Sequence, residues 1–429
     1  MNGRAHAIAI DDQACVGCVD CCKICPTKAI RVRDHRAVVD PELCIDCGAC
    51  LRACRWHAVL AQTSSTSDLA KFKHTVAIPS LTLLAQFGRD ADPGRIYRAL
   101  TAIGFHGVYD LSWMCEMLAG ALDAHLSQGQ GPWPKINVTC PAIVRLIQLR
   151  YPDLVAHLVP IETARELAAK LLRRKLAYEL SLAPEEIGIF FITPCSAIVN
   201  SIHNPEGLKE SYLDGAFAIS EIFGPLLQAY QALPETEATE QVSSRGLRWA
   251  AAGGEIAGMR NKNTMSVRGV QDVLDVFDHI EAGKFQAVDF IEAYICPEGC
   301  VGGQLTVEGR YAARRNLRHV RARLGEQKLV DEAKVRSLLR EHFFDIEEQF
   351  TARPLRPLGR DLREAVTRKK EGDALLARLP RKDCAACGAP DCATLAQDIV
   401  RGRATLDACV FVRLERLEQG SHSPKDVPT

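Results

Sequence analysis

Cys15, Cys18, Cys21 and Cys25 stand in the spacing C-x2-C-x2-C-x3-C, and Cys44, Cys47, Cys50 and Cys54 repeat it 29 residues later. The duplication runs on into Ala29-Ile30 and Ala58-Val59. The whole chain holds 18 cysteines in 429 residues, and its first residues, MNGRAHAIAIDD, contain no apolar secretory core. Thiols at this density without an export signal point to metal or redox chemistry in the reducing cytoplasm rather than to disulfides. Charge excludes other classes. With 53 basic and 53 acidic residues the formal charge is zero, so no basic face recruits nucleic acid or an anionic membrane. The weakly charged run from Ile187 to Ile202 is broken by Pro194 and carries Asn200. It is shorter than the ~20 apolar residues of a membrane span and reads as a buried strand ending in a loop.

The duplicated run resembles the bacterial two-cluster ferredoxin, in which the fourth cysteine of each run ligates the other cluster. The resemblance implies one 4Fe-4S cluster on Cys15, Cys18, Cys21 and Cys54, and a second on Cys44, Cys47, Cys50 and Cys25. Pro26 follows Cys25 as the motif expects, whereas Arg55 replaces the proline after Cys54. A pair of zinc knuckles is the competing reading, and zinc sites do not need interleaved runs.

Organisation along the chain follows. The ferredoxin repeat occupies 1–62. Polar residues QTSSTSDL mark a linker, placed at 63–71. A domain over 72–345 alternates strand-like runs (TVAIPSL, KINVTC, IGIFFITPC, AVDFIEAYIC) with helical patterns such as Ala164–Leu180 and Val270–Ala282, which indicates an α/β fold. PETEATEQVSSRG, 234–246, reads as a solvated surface loop. A connecting helix or linker covers 346–380, with the basic stretch Arg363–Lys382 as its solvated face, and a tail covers 414–429. Between them, at 381–413, Cys384, Cys387, Cys392 and Cys409 form C-x2-C-x4-C-x16-C around a helix at Ala393–Val400. A clustered trio with a distant fourth ligand suits a cubane better than zinc, which more often pairs two short knuckles. The spacing resembles the small 4Fe-4S domain of Rnf-type electron-transfer subunits and corrinoid iron–sulfur proteins.

Six cysteines remain, and four stand where strand-like runs end: Cys140, Cys195, Cys296 and Cys300. Ligands of α/β proteins gather outside the carboxyl ends of strands, so thiols from distant segments can converge there. Singly, each is as well explained as a small buried hydrophobe. At these residues the chain resembles the H-cluster domain of iron-only (FeFe) hydrogenases. That family has loop motifs of the forms TSCCP, MPCxxK and E-x3-C-x3-C-x-x-GG. Here they read VTCP, TPCSA and Glu292-x3-Cys296-x3-Cys300-Val301-Gly302-Gly303. The resemblance implies two α/β lobes flanked by the ferredoxin-like domain and the small α-helical 4Fe-4S domain. It implies a cubane on Cys140, Cys195, Cys296 and Cys300, with Cys300 bridging to a diiron subsite carrying CO, cyanide and a dithiolate amine. Pro79 and Ser80, in Ile78-Pro79-Ser80, match the segment that faces the cyanide side. Gly299, Gly302 and Gly303 would let backbone approach the cofactor.

The match breaks where protons are handled. The family's proton-passing cysteine aligns with Thr139, whose hydroxyl has far too high a pKa to act as a matched acid. The expected lysine is Ile198, and two methionines are Thr193 and Tyr294. Changes around a metal site typically cost ~10–100-fold each. Glu116, in WMCEML, lies near the acidic motif of the family's proton channel; its neighbour Cys115 is a candidate substitute thiol or a structural one. Cys22 reads as a bystander, and His57 and His106 as surface or packing residues. The expected protein is thus an H-cluster redox protein of low turnover or sensory role. Its expected partners are a redox protein or electron acceptor, the H-cluster maturation factors, and a separate signalling protein if it senses. The alternative is a cubane-only assembly or electron-transfer protein with a hydrogenase-like fold.

Overall fold

The computed structural model describes residues 6–234, 242–326, 328–353 and 357–420, in two compact units. Of the described residues, the larger takes in Ala7, 45–48 and those of 61–353; the smaller comprises 8–44, 49–60 and 357–420.

The larger unit is built on two parallel sheets. One has four strands in the order Gly107–Val108, His74–Pro79, Ile187–Thr193, Gly215–Ala218. Its register is fixed by pairs such as Pro79 with Ile192 and Thr193 with Ala218. Every residue of IGIFFIT is buried, as a parallel strand covered on both faces requires. The second sheet orders Thr264–Arg268, Phe290–Tyr294, Lys135–Ile136, again parallel. Parallel strands all point their carboxyl ends the same way, so each sheet offers one edge at which loops can build a site.

Helices fall close to the sequence expectation. Ala164–Leu180 forms as read, and the helix at Val270 ends at Glu281. Other elements depart from it. The run 187–202 passes from strand into the helix Ser196–His203 rather than a loop. The polar stretch at 63–71 is not a free linker: Ser64 exchanges hydrogen bonds with Ala216, and Ser65 and Asp68 cap the short helix Thr66–Leu69. Of the acidic loop, 235–241 lies outside the described residues, and Val242, Ser243 and Ser244 beyond it are buried.

In the smaller unit, strands Ile30–Arg33 and Arg36–Val39 form an antiparallel pair. The connecting helix is Leu362–Arg378, with no buried residue. The helix Cys392–Val400 follows, and a last one, Val410–Gly420, extends into what the sequence suggests is tail.

A buried ion pair pins 45–48 into the larger unit. Asp46 Oδ2 meets Arg145 Nη1 at 3.0 Å, with side-chain exposures of 0% and 1%. Asn200 Nδ2 donates to the same oxygen at 2.6 Å, Ala7 N donates to Oδ1 at 2.8 Å, and Ser196 Oγ donates to the Asp46 carbonyl at 2.8 Å. Arg145 also reaches Glu206 and the Asn204 carbonyl. Removing Asp46 leaves the buried Arg145 guanidinium with Glu206 as its remaining carboxylate and strips Asn200 and the Ala7 amide of their acceptor, so Asp46→Ala should destabilise the larger unit by up to about 3–5 kcal/mol. Denaturant unfolding of the variant against wild type measures this, and an unchanged midpoint would contradict it.

Candidate functional site

The loops at the carboxyl ends of the two sheets meet at one cleft of about 390 Å3 lined by Cys140, Cys195, Cys296 and Cys300. Each thiol has a local reason for its place. Cys140 is the N-cap of the helix Pro141–Arg150, whose first position is the proline that suits it, and Cys195 is the N-cap of Ser196–His203. Amides at a helix N-terminus favour a thiolate. Cys296 follows the strand Phe290–Tyr294, and Cys300 lies in the 3-10 turn Gly299–Gly302.

Three glycines allow these loops to close, and the close approach is to backbone. A Cβ on Gly302 would stand 2.0 Å from the Pro297 carbonyl oxygen, and one on Gly303 would stand 2.3 Å from that of Pro194. A Cβ on Gly299, which stands at φ +76°, would lie 2.5 Å from the Ala252 amide nitrogen. The sequence reading gave these glycines to the cofactor; Gly299 and Gly303 do line the cleft, but the contacts that demand glycine are chain against chain.

Burial raises the Cys195 pKa to about 11, with Cys140 adding to the rise. Burial likewise pushes Cys300 well up, followed by Cys195, Cys140 and Cys296. Four thiols that repel one another when ionised need positive charge among them, which a bound iron–sulfur cluster would supply. Among the described residues, no three Cys, His, Asp or Glu side chains are drawn together as one bound ion would require; the thiols ring a cleft instead. The donor set fits an iron–sulfur cluster held by these four residues.

The cleft holds two further features that spacing did not reveal. Cys47, from the N-terminal repeat, lines it. Gln304 Nε2 donates to the Cys47 carbonyl at 2.5 Å and to Cys296 Sγ at 3.3 Å. Thr139, Ile198 and Tyr294 line the wall, so the changed positions face the same space as the retained thiols.

Behind that wall lies a carboxyl pair. Glu255 is fully buried, receives Tyr294 Oη–H at 2.5 Å and Asn137 Nδ2 at 2.9 Å, and has the Thr139 side chain as a further hydrogen-bonding neighbour. Glu292 is also fully buried and accepts from the Gly253 amide at 2.8 Å and the Glu255 amide at 3.3 Å. Burial raises both pKa values, and Glu255 raises that of Glu292 further. Glu292 was visible as the first residue of a motif; Glu255 has no sequence signal beyond its position after Gly253-Gly254.

Other candidates lie elsewhere. Glu116 is buried with Ser243 Oγ at 2.5 Å and the Leu329 amide at 3.3 Å, and it is not among the cleft residues. Cys115 is buried, its pKa driven well up by burial and then by Glu255. Pro79 ends its strand opposite Ile192, and the Ser80 amide donates to Ile192 O; neither lines the cleft. His57 is exposed, and His106 Nδ1 pairs with Thr75.

In the smaller unit a second cleft is lined by Cys15, Cys18, Cys21 and Cys54, the interleaved set of the ferredoxin resemblance. Ala37 N donates to Cys15 Sγ at 3.4 Å and Ala29 N to Cys25 Sγ at 3.2 Å, bonds that favour thiolates. Burial raises the Cys50 pKa, with Cys44 and Cys25 the next causes. Cys387 is raised by burial and then by Cys409 and Cys384, while Cys392 and Cys409 share its small apolar core.

Comparison with known proteins matches three segments of the chain to known families. The family model described as the iron only hydrogenase large subunit, C-terminal domain, matches residues 73–257 and 215–304. A 4Fe-4S dicluster domain matches 7–55, and an Fe-S cluster family matches 379–411. The chain is 22% identical over 284 residues to iron hydrogenase 1 of Clostridium pasteurianum, an alignment covering 55% of this chain and 49% of that relative, so it spans about half the relative's length. It is 23% identical over 371 residues to the periplasmic Fe hydrogenase large subunit of Nitratidesulfovibrio vulgaris, covering 71% and 88%. Among solved structures, the FeFe-hydrogenase HydA1 from Chlamydomonas reinhardtii shares the fold at a TM-score of 0.51 and 15% identity, over 67% of this chain and 98% of that one. If the central quartet holds a cubane, Cys300→Ala should lower bound iron by about four atoms per chain, read by iron quantification on anaerobically reconstituted protein. Unchanged iron would separate Cys300 from cluster binding.

Proposed function

This chain belongs to the iron-only hydrogenase large-subunit family, and we propose that it reacts with H2 or protons at the thiol-lined cleft, slowly or as a sensor, and exchanges electrons through further iron–sulfur clusters. The observation that carries this reading is the convergence of Cys140, Cys195, Cys296 and Cys300 on one buried cleft whose wall has changed at Thr139, Ile198 and Tyr294. Cys140, Cys195, Cys296 and Cys300 would hold the cubane, with Cys300 shared with a diiron subsite. When bound, that cofactor supplies the hydrogen chemistry itself.

The chain's own task is then ligation, exclusion of water and delivery of protons and electrons. Thr139 cannot donate a proton near neutral pH, but its hydroxyl and that of Tyr294 both touch Glu255. Burial raises the Glu255 pKa, and burial followed by Glu255 raises that of Glu292 to about 8, so the pair holds a proton more tightly than ordinary carboxyls do and stands one hydroxyl away from the cleft as the proposed acid. Electrons would travel through the ferredoxin-like quartets to a redox partner. For the compartment we propose the cytoplasm, on thiol density; no described helix is long and apolar enough to cross a membrane, and the N. vulgaris relative carries a periplasmic name.

The cubane-only reading draws support from Ile198, which puts an aliphatic side chain in the cleft where the family's lysine would donate to cyanide. Infrared spectroscopy decides between the two. Protein matured with the diiron assembly factors should show bands of metal-bound CO and cyanide, and their absence would overturn the hydrogenase reading. Within it, Glu255→Gln should lower H2 evolution by about 100-fold or more and flatten its decline as pH rises through the pKa of the pair, with the infrared bands retained. Thr139→Cys should raise turnover. Wild-type rates in Glu255→Gln would remove the carboxyl pair from the route.

A further inference from the structure

The C-terminal quartet of the smaller unit lies directly against the strand that borders the first N-terminal quartet. Val32 lines the cleft of Cys15, Cys18, Cys21 and Cys54. Its amide donates to the carbonyl of Gly388 at 2.8 Å, and Gly388 is bonded to Cys387. Arg33 Nη1 donates to the Cys387 carbonyl at 3.1 Å. The fully buried Cys22, outside both quartets, points its thiol at the Ile30 carbonyl at 3.2 Å and the Gly388 carbonyl at 3.7 Å.

The approach is built rather than incidental. Gly388 has φ +75°, and a Cβ there would stand 1.9 Å from the Val32 carbonyl oxygen, so only glycine permits it. Asp398, with a side chain 5% exposed, takes Arg31 Nε at 2.6 Å and Arg33 Nη2 at 3.0 Å. Lys28 pairs with Asp391 at 2.6 Å. Three cations of the 28–33 segment thus clamp two carboxylates of the C-terminal segment, and the Arg31 contact is bidentate.

We propose that the Gly388–Val32 hydrogen bond is an electron-transfer link joining the C-terminal cluster to the first ferredoxin cluster, and that the C-terminal cluster is the port to the external redox partner. This rests on the reading that both quartets hold iron–sulfur clusters. The path from the C-terminal ligand runs through one residue's covalent bonds, one hydrogen bond and the Val32 side chain, and electrons tunnel more readily along bonds than across gaps. One electron leaves the reduced C-terminal cluster and reduces the first ferredoxin cluster; no proton moves. The electron is supplied by a one-electron carrier, a reduced flavin or iron–sulfur protein, and the direction reverses when H2 is the donor. Exposed Cys384 puts the C-terminal quartet within reach of such a carrier.

Gly388→Ala in the full, cluster-loaded chain tests the link, with Asp398→Asn as a second variant that loosens the clamp without touching the glycine. The reduced wild type should show an EPR spectrum broadened by spin coupling between the two clusters and an exchange-protected Val32 amide. In both variants the broadening and the protection should be lost while iron content stays at the wild-type value. Full iron with an uncoupled wild-type spectrum, or coupling unaltered in both variants, overturns the link. Zinc in place of iron at the C-terminal quartet overturns the cluster reading beneath it, and iron and zinc quantification distinguishes the two failures.

Discussion

Thiols confined together in dry surroundings resist ionisation, because burial and mutual repulsion act in the same direction. At Cys300 both operate, and the same sum recurs at Cys21 and Cys50 in the smaller unit. Such groups ionise together only where positive charge joins them, as a bound metal cluster would provide. Much of the architecture follows from that constraint. Helix N-termini are placed behind Cys140 and Cys195, backbone amides are turned toward Cys15 and Cys25, and glycines let loops stack at distances that any side chain would prevent.

The same burial that hinders a thiol assists a carboxyl. An ordinary thiol titrates near ~8.5 and an ordinary glutamate near ~4.3; desolvation moves both upward. Cys115 is thereby carried away from neutral pH, whereas Glu255 and Glu292 are carried toward it. In a dry wall behind a cleft, a carboxyl pair is the better matched acid. A threonine at position 139 then needs only to bond and orient, which is within the means of a hydroxyl. Tyr294 and Thr139 tie the cleft wall to the buried pair through Glu255.

The grouping of the cysteines was legible in the sequence because it is written in covalent spacing. Cys15, Cys18 and Cys21 must share a neighbourhood whatever the tertiary fold, and strand-end positions put Cys140, Cys195 and Cys296 at sheet edges. The long parallel strand at 187–193 and the helix Ala164–Leu180 were equally local readings, carried by apolar content and period. What spacing could not carry was partnership across the chain. Glu255, in the helix Gly254–Gly258, meets Tyr294 at the end of a strand and Asn137 from a third segment, Glu116 lies with Ser243 rather than beside the cleft, and Cys22 faces a carbonyl 366 residues away. Such contacts depend on tertiary placement, and one sequence holds no register for them.

The internal repeat shows how far local similarity can hide divergent duty. Positive φ recurs at the 29-residue offset, at Gly17 and Asp46, at Val19 and Gly48, and at Lys28 and His57, so both copies fold the same loop. Within that shared backbone the side chains part. Val16 is 47% exposed where its counterpart Ile45 is 2% exposed, and Gly17, free to adopt φ +68°, is answered by an aspartate at φ +53°. A left-handed conformation disfavours any residue with a Cβ, so glycine would be the lower-strain choice at position 46. The aspartate is explained by its carboxylate, which collects Arg145, Asn200 and the Ala7 amide in the larger unit. The adjacent Cys47 lines the central cleft with Gln304 bonded to its carbonyl. The mark of that divergence between the two runs is a strained, fully buried charge between two cysteines.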